Sequence, residues 1–184
     1  MLRKIPKAFI LFGPSGSGKT YVKNYLANKE VKPLKLHTTR KKRREEKNEE
    51  YYFVELNKFN EMEKEKKFAL TIKIDSTWKY GLSYEEIKKY KDNNIVVDFI
   101  NKELALKFYE QIMKTHKPFL CFFEIPIEKR MQIFKERGMN MHNIKKRMER
   151  EDRYEDLDVL IRNKSFLFTD FSTNIEKIER LLAL

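Results

Sequence analysis

Gly13-Pro14-Ser15-Gly16-Ser17-Gly18-Lys19-Thr20 fits the phosphate-binding pattern G-x-x-x-x-G-K-[ST] at every fixed position. Before it, Phe9-Ile10-Leu11-Phe12 is a short apolar run that reads as a buried strand. After it, the chain from Lys19 to about Lys29 reads as a helix with Val22, Tyr25 and Leu26 on one face. In that order of strand, turn and helix, the glycines let the backbone bend tightly. The N–H groups from Gly13 through Ser15, Gly16, Ser17 and Gly18 then converge with the helix N-terminus on a polyphosphate. Lys19 is placed to reach the β- and γ-phosphates, and the Thr20 hydroxyl to ligate Mg²⁺. A Gly/Ser-rich turn with no ligand would need none of this order. The expectation is a bound nucleoside triphosphate.

Composition sets the frame around that loop. The chain has 184 residues, 41% hydrophobic and 13% aromatic, enough to bury a core as one domain despite 37% charged residues. Its net charge of +12 suits either nucleic acid or polyphosphate substrates, and composition alone does not separate them. The single cysteine, Cys121, rules out an internal disulfide and lies in the apolar run Phe119–Phe123, where it reads as a core residue. No apolar run approaches the roughly 20 residues of a membrane span, and no signal-peptide pattern is evident. A cytoplasmic protein that is a monomer or homodimer is expected.

Apolar β-type runs fall at 7–12, 34–37, 51–54, 68–74, 95–100, 118–125 and 157–161, with helical stretches between several of them. That alternation predicts an α/β fold: a parallel sheet flanked by helices. Ser83 and Glu86 form a capping box opening a helix to about Lys91, and Gly138 ends a helix that begins near Ile127. Thr173 and Glu176 are expected to cap a last helix whose Ile175, Ile178, Leu181 and Leu182 face the core. Between about 38 and 82 the alternation is interrupted. A charged loop, a strand at Tyr51–Val54, a helix from about Asn57 to Lys66 and a β-rich piece at 68–80 suggest an inserted substrate-binding lobe.

His37-Thr38-Thr39-Arg40-Lys41-Lys42-Arg43-Arg44 holds five consecutive basic residues, and Tyr51-Tyr52-Phe53 follows a short acidic loop. A basic surface loop or a nucleic-acid patch is one reading. Arginine forks with a tyrosine hydroxyl also grip a dianionic phosphate. At this point the chain resembles the guanylate kinase family, whose signature is G-P-S-G-x-G-K-[ST], then S-x-T-T-R-x-x-R, then Y-x-F. The likeness extends to Lys79-Tyr80-Gly81, to Arg137-Gly138 with Ile144-x-x-Arg147, and to Leu160-Ile161-Arg162-Asn163. It spans nearly the whole chain in the right order.

The resemblance implies a phosphate-loop kinase core at 1–37, 83–136 and 156–184, an acceptor-binding lobe at 38–82 and a helical lid at 137–155. It implies γ-phosphoryl transfer from Mg·ATP to a nucleoside monophosphate, GMP or dGMP being the leading candidates. By it, Arg40, Arg43 and Tyr51 bind the acceptor's phosphate and Glu46 approaches its base, with Tyr80 in the same site. Arg137 and Arg147 join Lys19 and Arg40 as catalytic cations, and Asn163 lies near adenine. Asp98, at the end of Ile95-Val96-Val97, either supports Mg²⁺ or the acceptor, or simply caps the turn after its strand.

Departures from the family pattern gather where guanine would be read. Leu36 stands for a serine, the reading glutamate falls near Thr71, Leu82 follows Tyr80-Gly81 where a serine is usual, and Ile100 replaces a second acid. A site built to pair a polar edge loses discrimination steeply without its partners. Phe68-Ala69-Leu70 and Tyr80-Gly81-Leu82 also resemble ribose 1,5-bisphosphate phosphokinase, so a sugar phosphate, or another nucleoside monophosphate, stands as an alternative acceptor. A third reading is a guanylate-kinase-like binding module without catalysis; the intact Lys19 and Thr20 count against it. Nucleic acid is not the expected partner, because phosphate ligands and lid account for the basic clusters at 40–44 and 145–153 more economically. His37, His116 and His142 lack metal-ligand spacing.

Overall fold

The computed structural model describes residues 5–42, 51–74, 78–99, 101–151, 165–169 and 171–184. Its centre is β1 (Lys7–Phe12), buried at all six positions. A strand that apolar has to be covered on both faces, as parallel strands between helices are. On one side β1 pairs in parallel with β7 (Ile95–Phe99), and on the other with β8 (Lys117–Phe123). Adding β2 (Lys32–Pro33) and β9 (Ser165–Phe168) gives a five-stranded sheet in the order β2-β7-β1-β8-β9, parallel throughout.

The period-2 alternation of a strand divides β1 between two cores. Phe9 and Leu11 pack with α1 (Lys19–Asn28) and with the last helix, α7 (Phe171–Ala183), through Val22, Leu26, Ile178 and Leu181. Ala8, Ile10 and Phe12 face the other way, onto Leu104, Phe108 and Ile112 of α4 (Lys102–Ile112). Cys121 lies in the first of these cores, fully buried, and burial pushes its thiol far above the ordinary range.

A second, four-stranded sheet has the order β4-β3-β6-β5. It is built from β3 (Leu36–Thr38), β4 (Tyr51–Phe53), β5 (Phe68–Lys73) and β6 (Lys79–Ser83), with α2 (Leu56–Lys64) between β4 and β5. Phe59 of α2 stacks on Phe68 and covers one face. The other face joins the α4 core through Leu36, Leu70, Tyr80 and Leu82. From β6 the chain enters α3 (Tyr84–Lys89), and after β8 come α5 (Ile127–Glu136) and α6 (Met141–Glu151).

Several expectations are refined. The run at 34–37 enters β3 only at Leu36 and His37, while β2, in the other sheet, lies just before it at Lys32–Pro33. Pro33 is tolerated on the edge strand because the ladder is donated by Lys32 and Leu34, to Asn94 and Val96. The capping box at α3 is only half made: Ser83 Oγ accepts from the Glu86 amide, but the Glu86 carboxylate turns to the Lys35 amide and the Tyr52 hydroxyl, each at 3.0 Å. The last helix starts at Phe171, so Thr173 lies within it rather than capping it. The expected strand at 157–161 lies outside the described residues, and β9 was not anticipated. The stop at Gly138 is a Schellman motif: Gly138, at φ 73°, donates to Lys135 and Met139 donates to Phe134.

Candidate active site

The loop between β1 and α1 lies at the C-terminal edge of the parallel sheet, where open α/β sheets bind ligands. Gly13 (φ 140°) packs so closely on β8 that a Cβ there would sit 2.5 Å from the Phe123 carbonyl oxygen. Gly16 (φ 77°) is approached by the Phe134 ring, whose Cζ would lie 3.3 Å from a Cβ. Gly13 is therefore required twice, by conformation and by space, and Gly16 by its conformation. Gly18 caps α1 without a side-chain hydrogen bond, and no acidic residue occupies the first turn. The helix N-terminus thus keeps its partial positive charge for an anion.

Lys19 is buried, and its Nζ donates to the carbonyls of Gly13 and Pro14, each at 2.7 Å. Its ammonium arches back over the loop where phosphates would lie. Ser17 is buried beneath it, with Oγ 3.4 Å from the same nitrogen, while Thr20 is exposed on the first turn of α1. From α5, the buried Arg130 donates through Nε to the Ser15 carbonyl at 3.1 Å, tying that helix to the loop. Sequence reasoning missed Arg130. Its signal was position, since Arg130 shares the buried stripe of α5 with Phe134, four residues on.

Asp98 of β7 faces α1, where its Oδ1 meets Lys23 Nζ at 2.6 Å. Burial works to raise its carboxyl pKa, but the charge and hydrogen bond of Lys23, with Lys19 beyond, override this and hold it below the usual value. Lys23 also went unnoticed, although it follows Lys19 by one helical turn. For Mg²⁺ the loop offers the exposed Thr20 hydroxyl. Among the described residues no three His, Cys, Asp or Glu side chains converge on a metal position. That sparse oxygen set fits a cation held largely by substrate phosphates, as Mg²⁺ commonly is. Asp98 does not offer a ligand unconditionally, because an ammonium already claims it.

The second cationic centre is Arg40, just beyond β3 and only 5% exposed. Its guanidinium lies 5.5 Å from the Tyr51 ring centroid and 5.6 Å from that of Phe53, while Nε donates to the Tyr80 hydroxyl at 3.2 Å. Thr38 and Thr39 fix this turn. Thr38 Oγ1 donates to the Lys79 carbonyl and accepts from the Arg40 amide, and Thr39 Oγ1 accepts from the Lys79 amide at 2.9 Å. Arg40, Tyr51 and Tyr80 are thus brought together. Arg137 is exposed at the end of α5, seven residues from Arg130, and Arg147 falls on α6. Arg43, Glu46 and Asn163 lie outside the described residues.

Comparison with known proteins bears on this arrangement. The profile of the family described as guanylate kinase matches residues 5–182. A guanylate kinase from Anaplasma phagocytophilum superposes with a TM-score of 0.65 at 16% identity, over 99% of this chain and 87% of that one. A deoxyadenosine kinase from M. mycoides with bound dATP gives a TM-score of 0.46 at 14% identity, over 96% of this chain and 100% of that one. A search of curated proteins returned no match. No described helix is long and apolar enough to cross a membrane.

Proposed function

We propose that this chain, which belongs to the guanylate kinase family and is a nucleoside monophosphate kinase, takes ATP as donor and GMP and dGMP among its acceptors. The observation that carries the reading is a pair of buried cationic centres. Lys19 is held by the carbonyls of Gly13 and Pro14, which directly follow Phe12, and Arg40 by the Tyr80 hydroxyl, and Phe12 and Tyr80 belong to one hydrophobic cluster. Phosphoryl transfer asks for little more than two aligned phosphates and positive charge around the group in flight.

In this reading the loop amides and the α1 N-terminus hold the donor's phosphates. Lys19 exchanges its carbonyl partners for the β- and γ-oxygens, and Thr20 supplies the protein's oxygen to Mg²⁺. Mg²⁺ held there would neutralise negative charge on the donor's phosphates. Arg40 holds the acceptor phosphate, with Tyr51 and Tyr80 fixing its plane. Arg43 and Glu46 complete that side, Arg137 and Arg147 close over the donor, and Asn163 sits at adenine. Closure matters because water competes with the acceptor for the γ-phosphoryl group.

The test is ATP consumption against GMP, dGMP, other nucleoside monophosphates and ribose 1,5-bisphosphate, with the phosphorylated product identified. Diphosphate formation from GMP or dGMP is expected. Turnover of the sugar phosphate alone would replace the acceptor, and turnover of none would favour a non-catalytic binding module.

A further inference from the structure

Three successive carbonyls of the phosphate loop are each taken by a buried cation. Lys19 Nζ holds those of Gly13 and Pro14 at 2.7 Å, and Arg130 Nε holds that of Ser15 at 3.1 Å. The two cations stand differently towards the loop. Lys19 opens α1 and, in the proposed reaction, leaves its carbonyls for phosphate oxygens. Arg130 belongs to α5, 115 residues further along the chain, and keeps its carbonyl when Lys19 departs.

α5 backs the same peptide a second time. A Cβ on Gly16 would lie 3.3 Å from the Phe134 ring and 3.9 Å from the Arg130 Cα, so the helix lies directly against the Ser15–Gly16 unit. Phe134 is fully buried and clusters with Ile144 and Met148 of α6, which anchors this backing in a small core of its own. The peptide needs such a hold. Gly16 sits at φ 77°, and glycine passes between backbone conformations at little cost, so nothing local stops the Ser15–Gly16 plane from turning over. In a trans peptide the C=O and the following N–H point in opposite directions. With the Ser15 carbonyl turned to Arg130, the Gly16 N–H is turned away from α5. With the plane reversed, an acceptor would stand where that donor had been.

Resting on the proposed kinase reading, we infer that Arg130 is a positioning residue for the donor's phosphates. It acts through the Ser15–Gly16 peptide, keeping the Gly16 N–H presented to the polyphosphate and the Ser15 carbonyl averted from it. An amide facing a phosphate makes a charge-assisted hydrogen bond, whereas a carbonyl facing it is repelled. The pattern G-x-x-x-x-G-K-[ST] closes at Thr20 and says nothing of this residue.

The experiment compares wild type, Arg130→Gln and Arg130→Met on the full chain, by equilibrium binding of inorganic tripolyphosphate, ADP and GMP. Gln carries its amide nitrogen where Arg carries Nε, so it keeps the hydrogen bond and discards the charge. Met is of similar length and has neither. Arg130→Met is expected to weaken tripolyphosphate and ADP by about tenfold, and Arg130→Gln by less than about threefold. GMP affinity should hold in both, and in turnover the KM for ATP should rise with the same split while the acceptor KM stays. A Gln variant as weak as the Met variant would overturn the inference, because charge alone would account for the loss. A folded Met variant that binds as wild type does would overturn it equally. Wild-type protein that binds none of the three and turns nothing over would instead overturn the kinase reading beneath it. Should neither variant fold, hydrogen exchange of the wild type decides. Tripolyphosphate should slow exchange along α5 as well as in the loop, since coupling between the two is reciprocal. Protection that stops at the loop would overturn the inference.

Discussion

Lys23 and Asp98 form a salt bridge of 2.6 Å, side chain to side chain, between α1 and β7 at the edge of the phosphate loop. Their side chains are only 10% and 12% exposed. Lys19, one turn earlier on the same helix, adds to the field that keeps Asp98 ionised. One carboxylate thus answers two lysines that have different duties. Lys19 serves the loop, and Lys23 holds the acid in place.

Removing one partner of such a pair strands the other. Lys23→Met is expected to destabilise the fold by about 3 kcal/mol, because a largely buried carboxylate loses its nearest cation. Lys23→Met with Asp98→Leu should recover much of that loss. Urea midpoints of the two single variants and the double variant check this.

Lys19→Ala should lower kcat by about 10²-fold or more, since a fixed charge at the transferred group is lost. The fold should persist, because the contacts surrendered are to carbonyls of the loop itself. Circular dichroism with steady-state kinetics separates the two outcomes.

For Arg40→Lys the expectation is a rise in acceptor KM of about tenfold, with the donor KM little changed. The ammonium keeps the charge but gives up the planar fork and its stacking on Tyr51 and Phe53. Varying each substrate at saturating levels of the other measures this.

Gly13→Ala should be among the most damaging single-methyl changes in the chain. Its Cβ would meet the Phe123 carbonyl oxygen at 2.5 Å, backbone that no rotamer can move, at a φ of 140°. Loss of soluble folded protein, or a fall of about 3 kcal/mol or more in stability, is expected from thermal and urea melts.

Stability should also fall on mild acidification. Burial lowers the pKa of His116 and of His37 below the usual 6.5, more than their neighbours raise it. A depressed folded pKa means the unfolded chain binds the proton first. The stabilising contribution is complete above about pH 6.5 and is lost as pH falls through the folded values. His116 Nε2 donates to the Asn93 carbonyl at 3.1 Å, so the neutral ring is held in place. Urea midpoints between pH 7.5 and 5 should decline, and His116→Gln should flatten part of that slope.

The core strands, the loop and the helix after it were legible because each is a local pattern. Period-2 burial, glycine at positive φ and a lysine at the loop's end are written within about 20 consecutive residues. Of the Arg40, Tyr51 and Tyr80 cluster, the arginines ahead of a tyrosine hinted at the first two, while Tyr80 came only through resemblance, since it lies in a separate strand. Arg130 and Lys23 were hidden because their meaning is tertiary: a helix face says that a cation is turned inward, not what it meets. The division of 32–38 between two sheets escaped for the same reason. Pairing across strands fixes it, and no single strand records its own partner.

Glu86 joins three parts of the chain that are distant in sequence. Its carboxylate accepts from the Lys35 amide at the crossing between the sheets and from the Tyr52 hydroxyl in β4, while its own amide is held by Ser83 at the start of α3. The path into the second sheet and the path out of it therefore end on one buried acid. The entry to the second sheet, its strand β4 and the start of α3 are thus fastened together through one side chain. Loss of that carboxylate would release the Lys35 amide and the Tyr52 hydroxyl at once, so a single side chain secures both the way into the second sheet and its outer strand.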